Sequence, residues 1–420
     1  MKKVIFPLFI LSVIAFQSCT KDFGKVEVTY TKATAVYSDL SEIRDVPLKG
    51  EIQSVDNPGK IFVSEEVILI GEEEKGIHII DNTDPANPIP MGFINIPGNR
   101  EFYIEDEQLY AESVYDMLKI DISDKDNPRL ISRIEGAFAQ EITNSEGEVL
   151  TGFTFEEVTE EVEGDSRILD DIWGHNNTFF FDYANQLIPP SAVPSSFAGT
   201  SNNAIGAVNR IAYQNNHVYV ISRTNMTIFE DRGELNFISS SPVGWDMETI
   251  FPHNGNIFIG SQTAMQIFDV TNPERPEAIS GFWHATSCDP VYPVDDVAYV
   301  TLRTGDATNC PGDVNSLVVL DITNVRNPVE TQNIEMESPY GLTLANDRLY
   351  VGEGANGLKI FDATNRMDLE LITFDQSIEA YDVIHHPTIN TLLLVAGPEG
   401  LGQYEIEGVD KLNLVSWMKL

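Results

Sequence analysis

One short phrase recurs along this chain, and it constrains the fold more than any other feature. Each copy is an alternating apolar strand that ends in an aspartate and continues into Thr or Ser, Asn or Asp and usually proline, which indicates a strand that stops in a defined turn. The copies are IHIIDNTDPANP from Ile77, LKIDISDKDNP from Leu118, MQIFDVTNPERP from Met265, LVVLDITNVRNP from Leu317 and LKIFDATNRMD from Leu358. Neighbouring aspartates are 40 (81 to 121), 52 (269 to 321) and 41 (321 to 362) residues apart, the length of one four-stranded propeller blade.

The repeat predicts an all-β fold, a seven-bladed β-propeller of four-stranded blades, with six or eight blades left open. Two degenerate copies place Glu230 and Glu405 where the aspartate belongs, and they bring the count to seven. Four strands can be read around each position, for example YGLTLAND, RLYVGEG, GLKIFDAT and LELITFD within residues 340–375. We assign residues 57–420 to the propeller and residues 19–56 to a tether with a lead-in or extra edge strand.

The repeated aspartates are expected to be structural. They are Asp81, Asp121, Asp269, Asp321 and Asp362. A residue needed once for chemistry would not recur in five blades, whereas an Asp side chain that binds backbone amides two residues on is the usual way to fix a tight turn. The sequences DNTDPAN and DISDKDN also resemble calcium loops in composition, which leaves calcium as an alternative, but they lack the glycine and distal glutamate of the twelve-residue loop. We predict no metal ligands and no cofactor.

The charge of the chain excludes two classes of partner. It has 26 basic and 65 acidic residues, a formal net charge of −39. Nucleic acids and anionic lipid surfaces would be repelled by such a molecule before any contact formed. Cations, basic proteins and neutral glycans remain as partners, and the acidity also serves solubility.

The amino-terminal sequence indicates export. Lys2 and Lys3 precede an apolar run, residues 4–16, that is too short to span a bilayer as a helix, and small Ser18 stands directly before Cys19. This pattern resembles a bacterial lipoprotein signal, in which Cys19 is acylated after residues 1–18 are removed; an ordinary cleaved signal peptide is the alternative. Acyl chains on Cys19 would anchor the protein to a membrane without a basic patch.

The repeat itself resembles the LVIVD repeat of β-propeller lipoproteins from Bacteroidetes-type bacteria. The phrases that carry the resemblance are GIHIIDNTDPANP, YVTLRTGDATNC and YGLTLANDRLYVGEGANGLKIFDATN, and it covers roughly residues 57–420 apart from one insertion. The resemblance implies a propeller and a cell-surface setting. It implies no catalytic residues, because no activity belongs to the repeat as such.

One interval between repeats is too long for a blade. Asp121 and Glu230 are 109 residues apart, and we assign the excess to a large insertion at about residues 139–205 rather than to a hidden blade. Its first part is strongly acidic, which no blade interior could bury, and the segment IWGHNNTFFFDYANQ that follows is dense in aromatics. We select Trp173, His175, Phe179 and Tyr183 as candidate binding residues for a sugar or a peptide, the alternative being that these aromatics seat the insertion on its host.

Blade topology predicts which loops share a face. The loop between the second and third strands and the loop to the next blade lie on one face, here called the upper face, and the aspartate turns lie on the opposite, lower face. The insertion is thus expected on the upper face. Cys288 opens one blade and Cys310 lies in its enlarged upper loop, so we predict that these two cysteines of an exported chain form a disulfide.

These observations favour a non-catalytic binding module. We predict an outer-membrane lipoprotein, on the periplasmic or the cell-surface side, that binds a glycan or a protein through the upper face and the insertion. The alternative is a propeller enzyme, cleaving glycans or hydrolysing with calcium, whose acidic residues gather at the central channel. The sequence contains no catalytic triad and no zinc motif. Several acids or histidines converging in the channel would favour the enzyme, and a channel of small and apolar residues would favour binding.

Overall fold

The computed structural model describes residues 24–138, 142–163, 179–183, 186–188, 210–222, 224–244, 247–284, 290–304 and 314–420. The chain divides into two units. One contains residues Met1–Ala35 and Phe153–Val193, and the other contains Val36–Gly152 and Pro194–Leu420. The larger unit holds every strand that carries the repeated phrase.

Three elements precede the first blade: β1 (Lys25–Ser38), the short helix α1 (Leu40–Arg44) and β2 (Lys49–Gly50). The first blade consists of β3 (Pro58–Val63), β4 (Val67–Glu72), β5 (Gly76–Asp81) and β6 (Ile89–Asn95). The second consists of β7 (Phe102–Glu105), β8 (Gln108–Ser113), β9 (Asp116–Asp121) and β10 (Arg129–Ile134). Between the second and third blades lie β11 (Val149–Glu163), β12 (Phe179–Tyr183) and β13 (Gln186–Ile188).

Five further blades complete the ring. The third is β14 (Ile211–Gln214), β15 (His217–Ile221), β16 (Asn225–Asp231) and β17 (Leu235–Pro242); the fourth is β18 (Met247–His253), β19 (Asn256–Ser261), β20 (Ala264–Asp269) and β21 (Glu277–Trp283). The fifth is β22 (Val291–Val294), β23 (Val297–Leu302), β24 (Ser316–Asp321) and β25 (Val329–Glu335); the sixth is β26 (Leu342–Ala345), β27 (Arg348–Gly352), β28 (Leu358–Asp362) and β29 (Glu370–Asp375). The seventh is β30 (Asp382–His385), β31 (Leu392–Gly397), β32 (Gly400–Glu407) and β33 (Lys411–Lys419).

This architecture confirms the predicted all-β propeller of seven four-stranded blades. Each blade is an antiparallel meander, and the register shifts by one residue between its third and fourth strands. The two degenerate repeats keep this register: Glu230 pairs with His217 as Asp269 pairs with Asn256, and Glu405 pairs with Leu392. A bulge of this kind bends and twists the outer edge of each blade in the same way.

Apolar packing between blades closes the ring. For each neighbouring pair of blades, the described residues include a cluster of buried apolar side chains that both blades contribute. The last blade meets the first through Leu394 and Leu401 against Ile68 and Ile70. No strand is shared between these two blades in the described part of the chain. The ring is therefore held shut by side chains rather than by a strand exchanged between the two ends of the propeller.

The lead-in is tied to two blades. β2 pairs with β6 and gives the first blade a fifth, outermost strand. Helix α1 begins at the capping residue Asp39 and ends with Arg44, whose guanidinium binds both carboxylate oxygens of Asp116 at 2.8 and 2.9 Å. Asp116 is buried at the start of β9 in the second blade, so the lead-in contacts both of the first two blades.

The smaller unit contains a sheet of its own, in the order β11-β1-β12-β13. β1 runs parallel to β12, with Thr31 opposite Phe179. The acidic side chains of β11 that belong to this unit are exposed, and Tyr30 donates a hydrogen bond to Glu160 at 2.8 Å. Val28, Tyr30 and Val162 form its small apolar cluster.

The repeated aspartates lie in turns that their side chains hold. The backbone N–H two residues on donates to each carboxylate at 2.8 to 3.0 Å, and the residues concerned are Asp81, Asp121, Asp269, Asp321 and Asp362. These hydrogen bonds hold the pKa of all five carboxyls below its ordinary value. At Asp121 the hydroxyl and backbone N–H of Ser123, with Arg129, lower the pKa to about 2.

The third blade uses a different carboxylate. Here Asp231, one residue after Glu230, accepts the Gly233 N–H at 2.9 Å. Its side chain is buried against the second blade, where Lys119 Nζ lies 2.7 Å away and the Tyr110 hydroxyl donates a further hydrogen bond. Burial raises the pKa of Asp231, but these hydrogen bonds outweigh burial and hold the pKa below its ordinary value.

Replacing Lys119 by Met tests this interblade ion pair. Removing one partner of a buried pair leaves an uncompensated charge, so we expect the free energy of unfolding at pH 7 to fall by roughly 3–5 kcal/mol. The matched control is Lys411→Met, whose pair with Glu407 is exposed and should contribute less than about 1 kcal/mol. Urea denaturation of the two variants and the parent measures both.

The loss should shrink in acid. Because the pKa of Asp231 is depressed in the folded protein, the stabilisation by the pair is present above the unfolded value, about 3.9, and is lost as the pH falls through the folded value. The difference between Lys119→Met and the parent should therefore decrease below about pH 4. A loss below about 1 kcal/mol at pH 7, or one independent of pH, would contradict this account.

Candidate binding site in the central channel

The inner strands of the ring enclose a cavity of about 470 Å³. These strands are the first of each blade: β3, β7, β14, β18, β22, β26 and β30. A cavity of this size, with a mainly apolar wall and a few polar groups, has the features of small-ligand sites in proteins.

Equivalent positions in the seven inner strands can be identified from the hairpins that follow them. Four of these hairpins have two turn residues with positive φ: Asp106 and Glu107, Asn215 and Asn216, Asn254 and Gly255, Asn346 and Asp347. They are tight turns of the kind that Asn, Asp and Gly favour, and they fix the last paired residue of the inner strand. The last paired residues are Ser64, Glu105, Gln214, His253, Val294, Ala345 and His386.

Counting back from these residues gives two layers of the channel. The middle layer, two positions earlier, lines the cavity in all seven blades and consists of Phe62, Tyr103, Ala212, Phe251, Tyr292, Thr343 and Ile384. Its rings of Phe251 and Tyr292 meet edge to face with centroids 5.6 Å apart. The upper layer, four positions earlier, consists of Lys60, Glu101, Arg210, Thr249, Pro290, Gly341 and Asp382. The channel therefore has an aromatic and apolar middle beneath a layer of mixed character.

Charge in the upper layer is confined to one arc. From the seventh blade through the first to the third, the residues are Asp382, Lys60, Glu101 and Arg210, which alternate in sign. The fourth to sixth blades contribute only small or neutral residues, Thr249, Pro290 and Gly341. The upper layer thus has a charged side and an uncharged side, and of its charged residues Lys60 and Asp382 line the cavity.

Two of the charged residues satisfy each other. Lys60 Nζ lies 2.5 Å from Glu101 Oε1, and both side chains are buried. The Phe102 N–H also donates to Glu101 at 3.2 Å. The cation and the backbone donor together satisfy the buried carboxylate of Glu101. We therefore assign this pair a structural role in the wall of the channel.

Asp382 differs, because no cation pairs with it among the described residues. Its side chain is 6% exposed and lines the cavity, and the hydrogen bond that it accepts comes from the Val383 N–H at 2.9 Å. Burial raises the pKa of Asp382 to about 7, against the attraction of Lys60. The carboxylate leans over Gly341 of the sixth blade, where a Cβ would lie only 1.8 Å from Asp382 Oδ1. Because Gly341 has no side chain, the Asp382 carboxylate can occupy this position.

A polar and aromatic surface adjoins the uncharged side at the upper face. The Arg303 guanidinium lies over the Tyr340 ring, 4.2 Å from its centroid, and the rings of Tyr340 and Tyr381 are 4.8 Å apart. All three side chains are partly exposed. We call Arg303, Tyr340 and Tyr381 the upper platform.

Other acids of the upper face serve the scaffold. Glu72, fully buried, accepts the N–H groups of Asp56 and Asn57 at 3.0 Å each. Glu353 occupies the equivalent place in the sixth blade and binds Ser338 N and Lys359 Nζ, both at 2.5 Å. Glu72 thus holds the segment that enters the first blade, and Glu353 holds the loop between the fifth and sixth blades.

Of the lipidation, disulfide and candidate binding residues selected from the sequence, the structure describes only two. Cys19, Trp173, His175, Cys288 and Cys310 lie outside the described residues. Phe179 and Tyr183 are the first and last residues of β12 in the smaller unit. The upper layer was missed because no local motif marks it, although aligning the seven blades at their hairpins would have revealed it.

Two searches of the described residues are relevant to function. No group of three or more His, Cys, Asp or Glu side chains in that part of the chain is arranged to hold a metal ion. Nor does that part contain a helix with the length and apolarity needed to cross a membrane.

Known solved structures share the fold at low sequence identity. The computationally designed protein Ika8 has a TM-score of 0.52 and 7% identity, with 87% of each chain covered. A functionally unknown protein from Desulfotomaculum acetoxidans has a TM-score of 0.51 and 13% identity, covering 84% of this chain and 95% of its own. A protein from Lactobacillus plantarum has a TM-score of 0.51 and 9% identity, covering 84% and 96%. These similarities concern the fold alone.

The sequence comparisons identify the repeat. No curated protein matched the chain. The family model described as LVIVD repeat matches residues 310–335, which include the phrase around Asp321. The protein is a seven-bladed β-propeller that carries the LVIVD repeat.

Proposed function

We propose that the protein is a non-catalytic binding module of the cell envelope that takes its ligand at the upper face. The observation that supports this most is a contrast between two positions of the repeat, each compared across the seven blades. The lower turn position holds Asp in five blades and Glu in two, whereas the upper layer holds seven different residues in seven blades. A position that serves the scaffold needs the same residue type in every blade. A position that contacts one asymmetric ligand does not, because each blade meets a different part of that ligand.

A neutral glycan is the ligand class that we favour. The upper platform offers aromatic rings beside a guanidinium, and sugars stack on such rings while donating and accepting hydrogen bonds around them. The net charge of −39 does not oppose an uncharged ligand. The insertion, with Trp173, His175, Phe179 and Tyr183, is a second candidate binding segment for such a ligand, and a basic protein is the second candidate partner.

The enzyme alternative receives no specific support. A hydrolase at the channel would use two free carboxyl groups or a metal ion. Asp382 is one free carboxyl, but Glu101, the other acid of the upper layer, is bound by Lys60.

Attachment to the outer membrane through Cys19 is part of the proposal, and it is testable alone. Replacing Cys19 by Ala should release the full-length protein from membranes, because the acyl chains would be its anchor. Fractionation of cells that express the parent or the variant measures this. Continued sedimentation of Cys19→Ala with membranes would show that the anchor is assigned wrongly.

The upper platform predicts where a glycan binds. An array of neutral oligosaccharides, probed with the purified protein, should give signals that fall at least tenfold in Tyr381→Ala and Arg303→Ala. The matched controls are Phe237→Ala and Arg326→Ala, which remove an exposed aromatic residue and an exposed cation that lie outside the platform. Both controls should bind like the parent, and because stacking is not ionic, signals should change little between 50 and 500 mM salt.

Other outcomes would reject parts of the proposal. Equal losses in the platform and control variants would show that the platform is not the site. Binding to basic proteins that collapses in salt would replace the glycan by the second partner. The contribution of the insertion is separable by deleting residues 20–35 and 153–193 together, which removes both parts of the smaller unit and leaves only the ends of β1 and β11, residues 36–38 and 149–152.

A further inference from the structure

The channel contains an ionisable group for which the described residues provide no counter-ion. Asp382 is more than nine-tenths buried, lines the cavity and accepts a hydrogen bond from one backbone N–H. An ionised carboxylate in such a place is costly unless a cation or several donors compensate it. Its neighbour in the upper layer, Lys60, is held by Glu101 at 2.5 Å. Among the described residues, the Asp382 carboxylate therefore has no paired cation, and a bound ligand could supply one.

The space next to Asp382 is suited to a ligand. On its sixth-blade side the upper layer is formed by Gly341, Pro290 and Thr249, which leave the cavity open there. Directly below lies the middle layer, with the rings of Phe62, Tyr103, Phe251 and Tyr292. Aromatic rings attract ammonium groups and bury apolar bodies, so both parts of an amphipathic cation would be accommodated.

We infer that the channel binds a small organic cation, a primary ammonium on an apolar or aromatic body, with the ammonium at Asp382 and the body against the middle layer. The net charge of −39 raises the local concentration of cations around the molecule and favours their access. This inference goes beyond the proposed glycan binding, since it concerns the channel and not the upper platform, and either can fail without the other.

The pH dependence of binding follows from the groups around Asp382. Lys60 faces it from the first blade, with Glu101 behind, while Gly341 and Thr343 on the sixth blade are uncharged. With a pKa raised to about 7, the Asp382 carboxyl is about one-tenth ionised at pH 6 and about nine-tenths ionised at pH 8. A ligand that stays protonated over this range should therefore bind about tenfold more tightly at pH 8.

Tryptamine and its neutral isostere tryptophol are the probes, measured by calorimetry on the full-length protein at pH 6 and pH 8. We expect tryptamine to bind the parent more tightly than tryptophol at pH 8 and to lose about tenfold at pH 6. In Asp382→Asn the tryptamine affinity should fall at least tenfold at pH 8 and lose its pH dependence. Glu112→Gln is the matched control, because burial also raises the pKa of Glu112 to about 7 but the residue does not line the cavity.

Glu112→Gln should bind tryptamine like the parent, including the tenfold dependence on pH. Equal affinities for tryptamine and tryptophol in the parent would overturn the inference, as would no binding of tryptamine at millimolar concentration. Unchanged affinity in Asp382→Asn would overturn it as well. Thermal unfolding accompanies each titration, and if Asp382→Asn does not fold, the comparison of the two probes and the pH dependence of the parent still decide.

Discussion

The structure depends on one constraint: a four-stranded blade has two apolar faces and cannot bury either of them alone. Both faces become buried only when every blade has two neighbours, which requires a closed ring. In this protein the first and last blades meet through Ile68, Ile70, Leu394 and Leu401, and the described residues show no strand shared between them. Packing by itself would allow the blades to slide, and buried polar contacts between blades oppose this.

Two such contacts arise at the same repeat position, two residues before the Asp or Glu of the turn. Gln403 and Asn82 exchange hydrogen bonds at 2.6 and 3.1 Å where the ring closes, and Lys119 binds Asp231 between the second and third blades. Each satisfies a buried group only in one alignment of the two blades, so it fixes their relation. A ring fixed in this way holds the seven inner strands at constant separation, and the upper layer can differ from blade to blade without loss of the fold.

The sequence predicted what the repeat encodes and missed what distinguishes its copies. Strand period and the turn aspartates were sufficient for an all-β ring of seven blades, and Glu230 was placed in the correct register. The carboxylate that accepts the turn N–H is nevertheless Asp231, because its ion pair with Lys119 of the second blade stabilises the buried side chain. The pairing of β1 with β11 joins residues about 130 positions apart, as at Thr29 and Thr159, and no local pattern encodes it. The position of the Asp382 side chain in the channel depends on Gly341 of the neighbouring blade, and only the fold brings these two residues together.

We propose that the lower face of the ring serves the scaffold and that the upper face serves a ligand. Hydrogen exchange measured by mass spectrometry, on the purified protein and on the same protein in isolated cell envelopes, tests it without knowledge of the ligand. We predict slower exchange in envelopes for the upper loops at residues 71–76, 337–341 and 352–357, with unchanged exchange in the lower turns at residues 82–87 and 363–368. Protection confined to the lower turns, or none on either face, would contradict the account.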